Sequence, residues 1–120
     1  LLNESDPEKL YRQRISFDTP NFIFTDGSRG ADIFCRAGHR HVDTPKIKTV
    51  STIGAGDNFN AGILFALYQK NIFREELSTL SLDQWETILK CGNSFASEVC
   101  QSFDNYISSD FAARVKQGQL

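Results

Sequence analysis

The sequence predicts an α/β fold built in layers, because strand patterns fill much of its first half and helical periodicity fills its second half. Three observations predict it: a buried strand pattern at residues 22–24, a glycine-rich turn at residues 54–56 that leads into an apolar helix, and a strong helical repeat after Ser81. The chain of 120 residues is 40% hydrophobic and contains 10 Phe, which is enough for a packed core. We therefore expect a single unit over residues 1–120.

A short helix and a strand are predicted first. Asp6, Pro7 and Glu8 supply an N-cap, a first-turn proline and a first-turn acid, which together predict a helix through about Arg14. The apolar run at residues 22–24 then predicts a buried strand, ended by the turn signal Asp-Gly that follows it.

Short strands are predicted between this turn and the glycine-rich segment. Residues 31–36 and 40–44 are typical of a hairpin around Ala37 and Gly38. Residues 47–50 predict another short strand that leads into the glycines. This part of the chain is therefore expected to form a small sheet.

A helix is predicted to follow from Phe59 to about Lys70. Apolar residues recur at helical spacing along it, and Leu64, Phe65 and Tyr68 widen the apolar stripe. We therefore expect this helix to be buried on most sides.

The strongest periodicity lies in the last third of the chain. Ser81 and Gln84 form a capping-box pattern, and apolar residues then recur at helical spacing as far as Phe103. A final helix is predicted over residues 110–117, with Gly118 as its stop.

Charge and hydropathy exclude several classes of partner. The formal net charge is −2 and the signs are interspersed, so no basic face for nucleic acid is predicted. No apolar run approaches the roughly 20 residues of a membrane span, and no signal segment opens the sequence. We expect a cytoplasmic protein without nucleic-acid or membrane partners.

The three cysteines are expected to be reduced. Cys91 and Cys100 fall on one predicted helix, on opposite faces and roughly 13 Å apart along its axis, which is too far for a disulfide. Cys35 with His39 and His41 is a weak candidate for a metal cluster, because no fourth ligand lies nearby. A solvated turn with no metal is the favoured interpretation.

The segment "STIGAGDNF", residues 51–59, has the chemistry of an anion site. Gly54 and Gly56 allow backbone amides to converge, and the first amides of the following helix have no partner within that helix. A phosphate could bind there, and Asp57 beside it could accept a proton from an attacking hydroxyl. Two alternatives remain from spacing alone: Asp57 as an N-cap, and the glycines as an ordinary turn.

Two familiar phosphate-binding motifs do not fit this segment. The dinucleotide-binding fingerprint requires a small residue where Phe59 stands, and no strand ending in an acid follows about 20 residues later. A Walker loop requires Gly-Lys-Ser/Thr, which is absent from the segment.

Three stretches of the sequence resemble the ribokinase-like (PfkB) carbohydrate kinase family. The run "STIGAGDNFNAG" resembles the second family signature, Asp-Thr-x-Gly-Ala-Gly-Asp-x-Phe, at six of its seven specified positions. The turn "TDGSRG" resembles the family's Thr-x-Gly-x-x-Gly turn, and "CGNSFAS" resembles the helix beside adenine. The resemblance spans about residues 21–103 and implies the carboxy-terminal portion of a ribokinase-like α/β/α fold.

The resemblance implies a kinase that moves the γ-phosphoryl group of ATP to a sugar hydroxyl, with magnesium on the phosphates. Asp57 would be the base, and the amides of Gly54, Ala55 and Gly56 would bind the phosphoryl group in transit.

The nucleotide residues follow from the same resemblance. Thr25, Gly27 and Gly30 would line the ATP phosphates, and Asn93 would lie near adenine. The residues alone leave two alternatives, an ordinary turn for the first segment and a mid-helix Asn93 that satisfies a local backbone group.

Two departures from the family pattern argue against potassium activation. Ser51 stands where the family usually has an acid of the monovalent-cation site, and residues 99–108 lack the Gly-Ala pair that helps form that site.

The sequence is short for this family. Sugar-binding and lid regions of family members precede the part seen here, so we expect a carboxy-terminal piece that is inactive alone. Such a piece is expected to expose a strand edge and an apolar sheet face, and therefore to self-associate or to be poorly stable. The sugar is not readable from these residues. A non-catalytic nucleotide-binding relative and a structural or interaction domain remain the alternatives to a kinase.

Overall fold

Three antiparallel strands and four α-helices make up the part of the chain that the computed structural model describes, residues 5–15 and 19–119. The helices are α1 (Pro7–Ile15), α2 (Ala55–Gln69), α3 (Leu82–Cys100) and α4 (Ser109–Lys116). The strands are β1 (Phe22–Thr25), β2 (Ala31–Cys35) and β3 (Gly38–Val42). Two short 3₁₀ turns lie at Gly27–Arg29 and Arg74–Thr79.

The predicted starts of α1 and α3 are confirmed and side chains explain them, whereas α2 begins at Ala55, four residues before the predicted Phe59. Asp6 Oδ1 accepts a hydrogen bond from the Glu8 amide at 2.9 Å at the start of α1. At the start of α3, Ser81 Oγ accepts from the Gln84 amide and Gln84 Oε1 accepts from the Ser81 amide, which is the predicted capping box. The predicted last helix and its stop at Gly118 are also present.

The sheet has the order β1-β2-β3, and the predicted hairpin is its β2-β3 half. Burial along β2 assigns its two faces, because Ala31, Ile33 and Cys35 belong to one core with α2 and α3. Phe34 points the other way, and the Tyr11 ring of α1 stacks on it with centroids 5.7 Å apart. The sheet is thus covered by α1 on one face and by α2 and α3 on the other, as the layered prediction requires.

The most extensive packing lies between α2 and α3, and α4 adds Phe111 and Val115 to the same core. Ile88 and Leu89 of α3 are fully buried, and Phe95 meets Phe111 of α4 edge to face with centroids 5.2 Å apart. Ser108 Oγ accepts from the Phe111 amide at 3.1 Å and so starts α4 against this core.

The predicted strand at residues 47–50 is wrong. Within the described ranges this stretch pairs with no strand; instead the amides of Val50 and Ser51 both donate to the Cys100 carbonyl, at 2.8 and 3.2 Å. The end of α3 supplies the acceptor, because the last carbonyls of a helix lack partners within it.

The second and third helices bury fewer side chains than the sequence predicts. Leu64 and Tyr68 of α2 are 67% and 81% exposed, so α2 buries one face rather than most of its surface. Phe103 is 88% exposed, because α3 ends at Cys100 and does not carry its stripe that far.

Candidate functional site

A cavity of about 400 Å³ lies where four segments of the fold meet. Its walls come from the turn after β1, the segment that follows β3, the start of α2 and one face of α3. Of the predicted site residues, the cavity brings together six: Thr25, Gly27, Gly30, Ala55, Gly56 and Asn93. Gly54 and Asp57 do not line it, although both adjoin residues that do.

The turn after β1 is fixed by its own backbone and by close packing. Gly27 and Gly30 have positive φ values of 50° and 107°, and a Cβ on Gly30 would lie 2.1 Å from the Val42 carbonyl oxygen. Only glycine therefore fits at Gly30. Thr44 Oγ1 donates to the Gly27 carbonyl at 3.1 Å and joins the turn to the segment after β3.

The start of α2 presents backbone to the same cavity. Gly54 is the N-cap residue with φ of 81°, and the helix begins at Ala55. The N-cap interpretation of Asp57 is thus wrong, because Asp57 is the third residue of the helix, with its side chain exposed. A helix N-terminus of this kind favours a bound anion.

Asn58 is a site-supporting residue that sequence reasoning missed. Its Nδ2 donates to the Gly54 carbonyl at 2.9 Å and to the Asn105 carbonyl at 3.0 Å. These bonds hold the glycine loop against the segment after α3. The sequence feature that could have indicated this role is a polar side chain in the first turn of a helix that follows glycines.

Asn93 is buried and connects α3 to the exit of β3. Its Nδ2 lies 3.3 Å from the Val42 carbonyl oxygen and 3.2 Å from that of Asp43. The carbonyl groups that Asn93 binds are therefore distant in sequence. The alternative in which Asn93 satisfies a local backbone group is wrong. Its expected place beside adenine stays a prediction.

Ser97 and Lys46 also line the cavity and were not singled out from the sequence. Ser97 is 5% exposed, and its hydroxyl has no hydrogen-bond partner among the described residues. The sequence could have indicated Ser97 as a lining residue, because it follows Asn93 by four positions and so lies on the same helical face.

The three residues considered for a metal cluster do not converge. Cys35 is buried in the core, whereas His39 Nε2 and His41 Nδ1 lie 2.7 and 3.2 Å from the same oxygen of Asp32. No metal-binding group of three or more acidic, His or Cys residues occurs in residues 5–15 and 19–119. The histidines, expected to be solvated, are half-exposed and paired.

His41 on β3 and Cys91 on α3 have raised pKa values. Hydrogen bonding to the Asp32 carboxylate raises the pKa of His41, and Asp43 adds to the effect. Burial raises the pKa of the Cys91 thiol to about 11. All three cysteines are free thiols.

None of the helices in the described ranges is both long enough and apolar enough to cross a lipid bilayer.

The fold is shared with solved sugar and nucleoside kinases. Fructokinase from Vibrio cholerae O395, in a form with fructose, ADP and calcium ion bound, superposes with a TM-score of 0.70 at 18% identity, over 91% of this chain and 35% of that one. Aminoimidazole riboside kinase from Salmonella enterica, complexed with aminoimidazole riboside and an ATP analog, gives 0.70 at 20% identity, over 86% and 32%. Adenosine kinase from Sinorhizobium meliloti gives 0.70 at 21%, over 96% and 32%. These likenesses define a ribokinase-like fold.

The chain belongs to the pfkB family of carbohydrate kinases, whose model matches residues 3–111. A fructokinase from Rhizobium leguminosarum bv. trifolii is 28% identical over 81 residues. That match spans 68% of this chain but only 24% of the fructokinase.

Proposed function

We propose that this chain forms the nucleotide-binding and catalytic part of a kinase that transfers the γ-phosphoryl group of ATP to a hydroxyl of a sugar or sugar-like substrate. The observation that supports it best is the shared cavity, where the glycine turn after β1 faces the N-terminus of α2. A helix N-terminus with a glycine turn beside it suits a chain of phosphates.

In this proposal Asp57 is the general base, and the amides at Gly54, Ala55 and Gly56 stabilise the charge on the phosphoryl group in transit. The position of Asp57 in the first turn of α2, one residue beyond the cavity-lining Gly56, supports this assignment. A general base acts through its carboxylate oxygen, which accepts the proton of the attacking hydroxyl.

Thr25, Gly27 and Gly30 contact the nucleotide phosphates in this proposal, and Asn93 lies towards the adenine end. Magnesium accompanies the phosphates as their counterion. Because ATP is the phosphoryl donor in this proposal, we propose that the protein acts in the cytoplasm. Ser51 supplies no carboxylate for a monovalent cation, so no potassium requirement is proposed.

The rest of the full-length kinase is proposed to cover the exposed apolar side of α2 and the outer edge of β1. In the described ranges β1 pairs only with β2, and Leu64 and Tyr68 face solvent. The solved relatives are roughly three times as long as the part they share with this chain, which leaves ample polypeptide to cover these surfaces.

The test is ADP release by the full-length gene product with ATP and magnesium, across ribose, fructose, 2-keto-3-deoxygluconate and nucleosides. Asp57→Asn keeps the shape of the side chain and removes the base, so it should bind ATP while losing at least about a hundredfold in kcat. Asp110→Asn is the matched control, because Asp110 is also a first-turn acid but lies on α4, away from the cavity lining.

The outcomes separate the three functional classes. Turnover that disappears in Asp57→Asn and persists in Asp110→Asn supports the kinase. ATP binding without turnover on any substrate would instead favour a non-catalytic nucleotide-binding relative. Absence of ATP binding by the full-length protein would leave only a structural or interaction role.

A further inference from the structure

We infer that Lys46 is a phosphate-binding residue of the nucleotide site, an assignment that rests on the proposed function. Lys46 lies in the segment between β3 and α2, within the wall of the cavity. Among the described residues that line this cavity, it is the only one with a charged side chain.

The charge balance of the cavity leaves a clear role for one cation. A nucleoside triphosphate is a polyanion near neutral pH, and it keeps a net negative charge when one magnesium ion is bound. The glycine turn and the α2 N-terminus offer only partial positive charges, about half an elementary charge for a helix end. No carboxylate lines the cavity in the described ranges, so an ammonium group there has the phosphates as its natural counterions.

The backbone on both sides of Lys46 is anchored, whereas its side chain is exposed. Asn93 holds the Asp43 carbonyl, and the Val50 amide donates to the Cys100 carbonyl, so both ends of the segment are tied to α3. Lys46 forms no ion pair with any other described residue. A lysine binds a ligand best when its backbone is held in place and its ammonium group is not already in an ion pair.

Ser97 adds a polar side chain to the cavity, in addition to Lys46. The Ser97 side chain, on the wall formed by α3, is buried, and its hydroxyl has no partner in the described part of the chain. A buried hydroxyl without a partner is unfavourable unless something else satisfies it.

Lys48 provides a matched control two residues further on. It is exposed, it belongs to the same segment, and it does not line the cavity. Replacing either lysine with Met keeps most of the aliphatic stem and removes the charge.

The experiment measures the Kd of the full-length gene product for ATP and for inorganic tripolyphosphate by calorimetry, with circular dichroism to monitor folding. For Lys46→Met we expect the Kd for both ligands to rise about tenfold, and the salt dependence of binding to weaken. Lys48→Met should bind both as the wild type does. Lys46→Arg, which keeps the charge, should restore most of the affinity.

Equal Kd values for wild type and Lys46→Met would overturn the inference while leaving the proposed kinase intact, provided that turnover persists. An equal loss in Lys46→Met and Lys48→Met would also overturn it, because the effect would then be general surface charge. A wild-type protein that binds neither ATP nor tripolyphosphate would overturn the inference and the proposed function together.

Discussion

Gly62 of α2 and Gly92 of α3 meet where the two helices cross, so closely that a Cβ on Gly62 would lie 2.8 Å from the Gly92 Cα. The same Cβ would lie 2.8 Å from the Cys91 carbonyl oxygen, which belongs to rigid backbone. The two helices can therefore approach this closely only because neither residue has a side chain at the crossing.

Gly62→Ala is expected to destabilise the protein by roughly 2 kcal/mol, because α3 must move to admit the methyl group. Alanine normally stabilises a helix interior relative to glycine, so the expected sign is reversed here. Gly56→Ala is the comparison, since a Cβ on Gly56 meets nothing within 4 Å. Chemical denaturation measures both variants, and equal stabilities would contradict the close crossing.

Asn93→Ala should lower the free energy of unfolding by about 1–3 kcal/mol, because it leaves the Val42 and Asp43 carbonyls without their side-chain donor. We also expect weaker ATP binding, since the anchored segment forms a cavity wall. Asn60→Ala, at an exposed position on α2, is the control for denaturation and calorimetry. A variant as stable as the wild type would show that these two hydrogen bonds contribute nothing.

The Asp32–His41 pair should make stability depend on pH. Because the pKa of His41 is raised in the folded state, the pair contributes fully below the ordinary value of 6.5. Its contribution is lost as the pH rises through the folded-state pKa. Asp32→Asn removes the first cause of the shift, so an NMR titration should give a lower pKa for His41 in that variant; an unchanged value would refute the assignment.

Thiol modification should distinguish the cysteines. Cys100 is partly exposed and lines the cavity, whereas Cys35 and Cys91 are buried and the pKa of Cys91 is about 11. At pH 8 iodoacetamide should therefore label Cys100 first, and ATP should slow the reaction. Peptide mapping by mass spectrometry gives the rates, and labelling of Cys91 as fast as Cys100 would contradict the burial of Cys91.

Local signals in the sequence predicted most of the secondary structure. The capping box at Ser81, the Asp6 N-cap and the strand at residues 22–24 all depend on residues that are neighbours in the chain. Residues 47–50 had the composition of a strand, but a strand also needs a partner, and the partner of this backbone is the end of α3. Composition alone does not reveal that competition.

The sequence predicted the parts of the candidate site in which glycines mark a turn. The turn after β1 and the start of α2 do meet at one cavity, whereas the places of Lys46, Ser97 and Asn58 at the site depend on the tertiary structure. The hydrogen bond from Asn58 to the Asn105 carbonyl joins residues 47 positions apart, and single-sequence patterns do not report such distances.

The cavity walls come from stretches that begin at Thr25 and end at Cys100, so any occupant must touch segments far apart along the chain. No early folding unit made of neighbouring residues contains all of these walls. A molecule that fills the cavity therefore binds only after the long-range contacts have formed, and its binding free energy adds to that of the whole assembled structure. Occupancy would thus serve as a reporter of complete folding, which a spectroscopic probe of helix content alone is not.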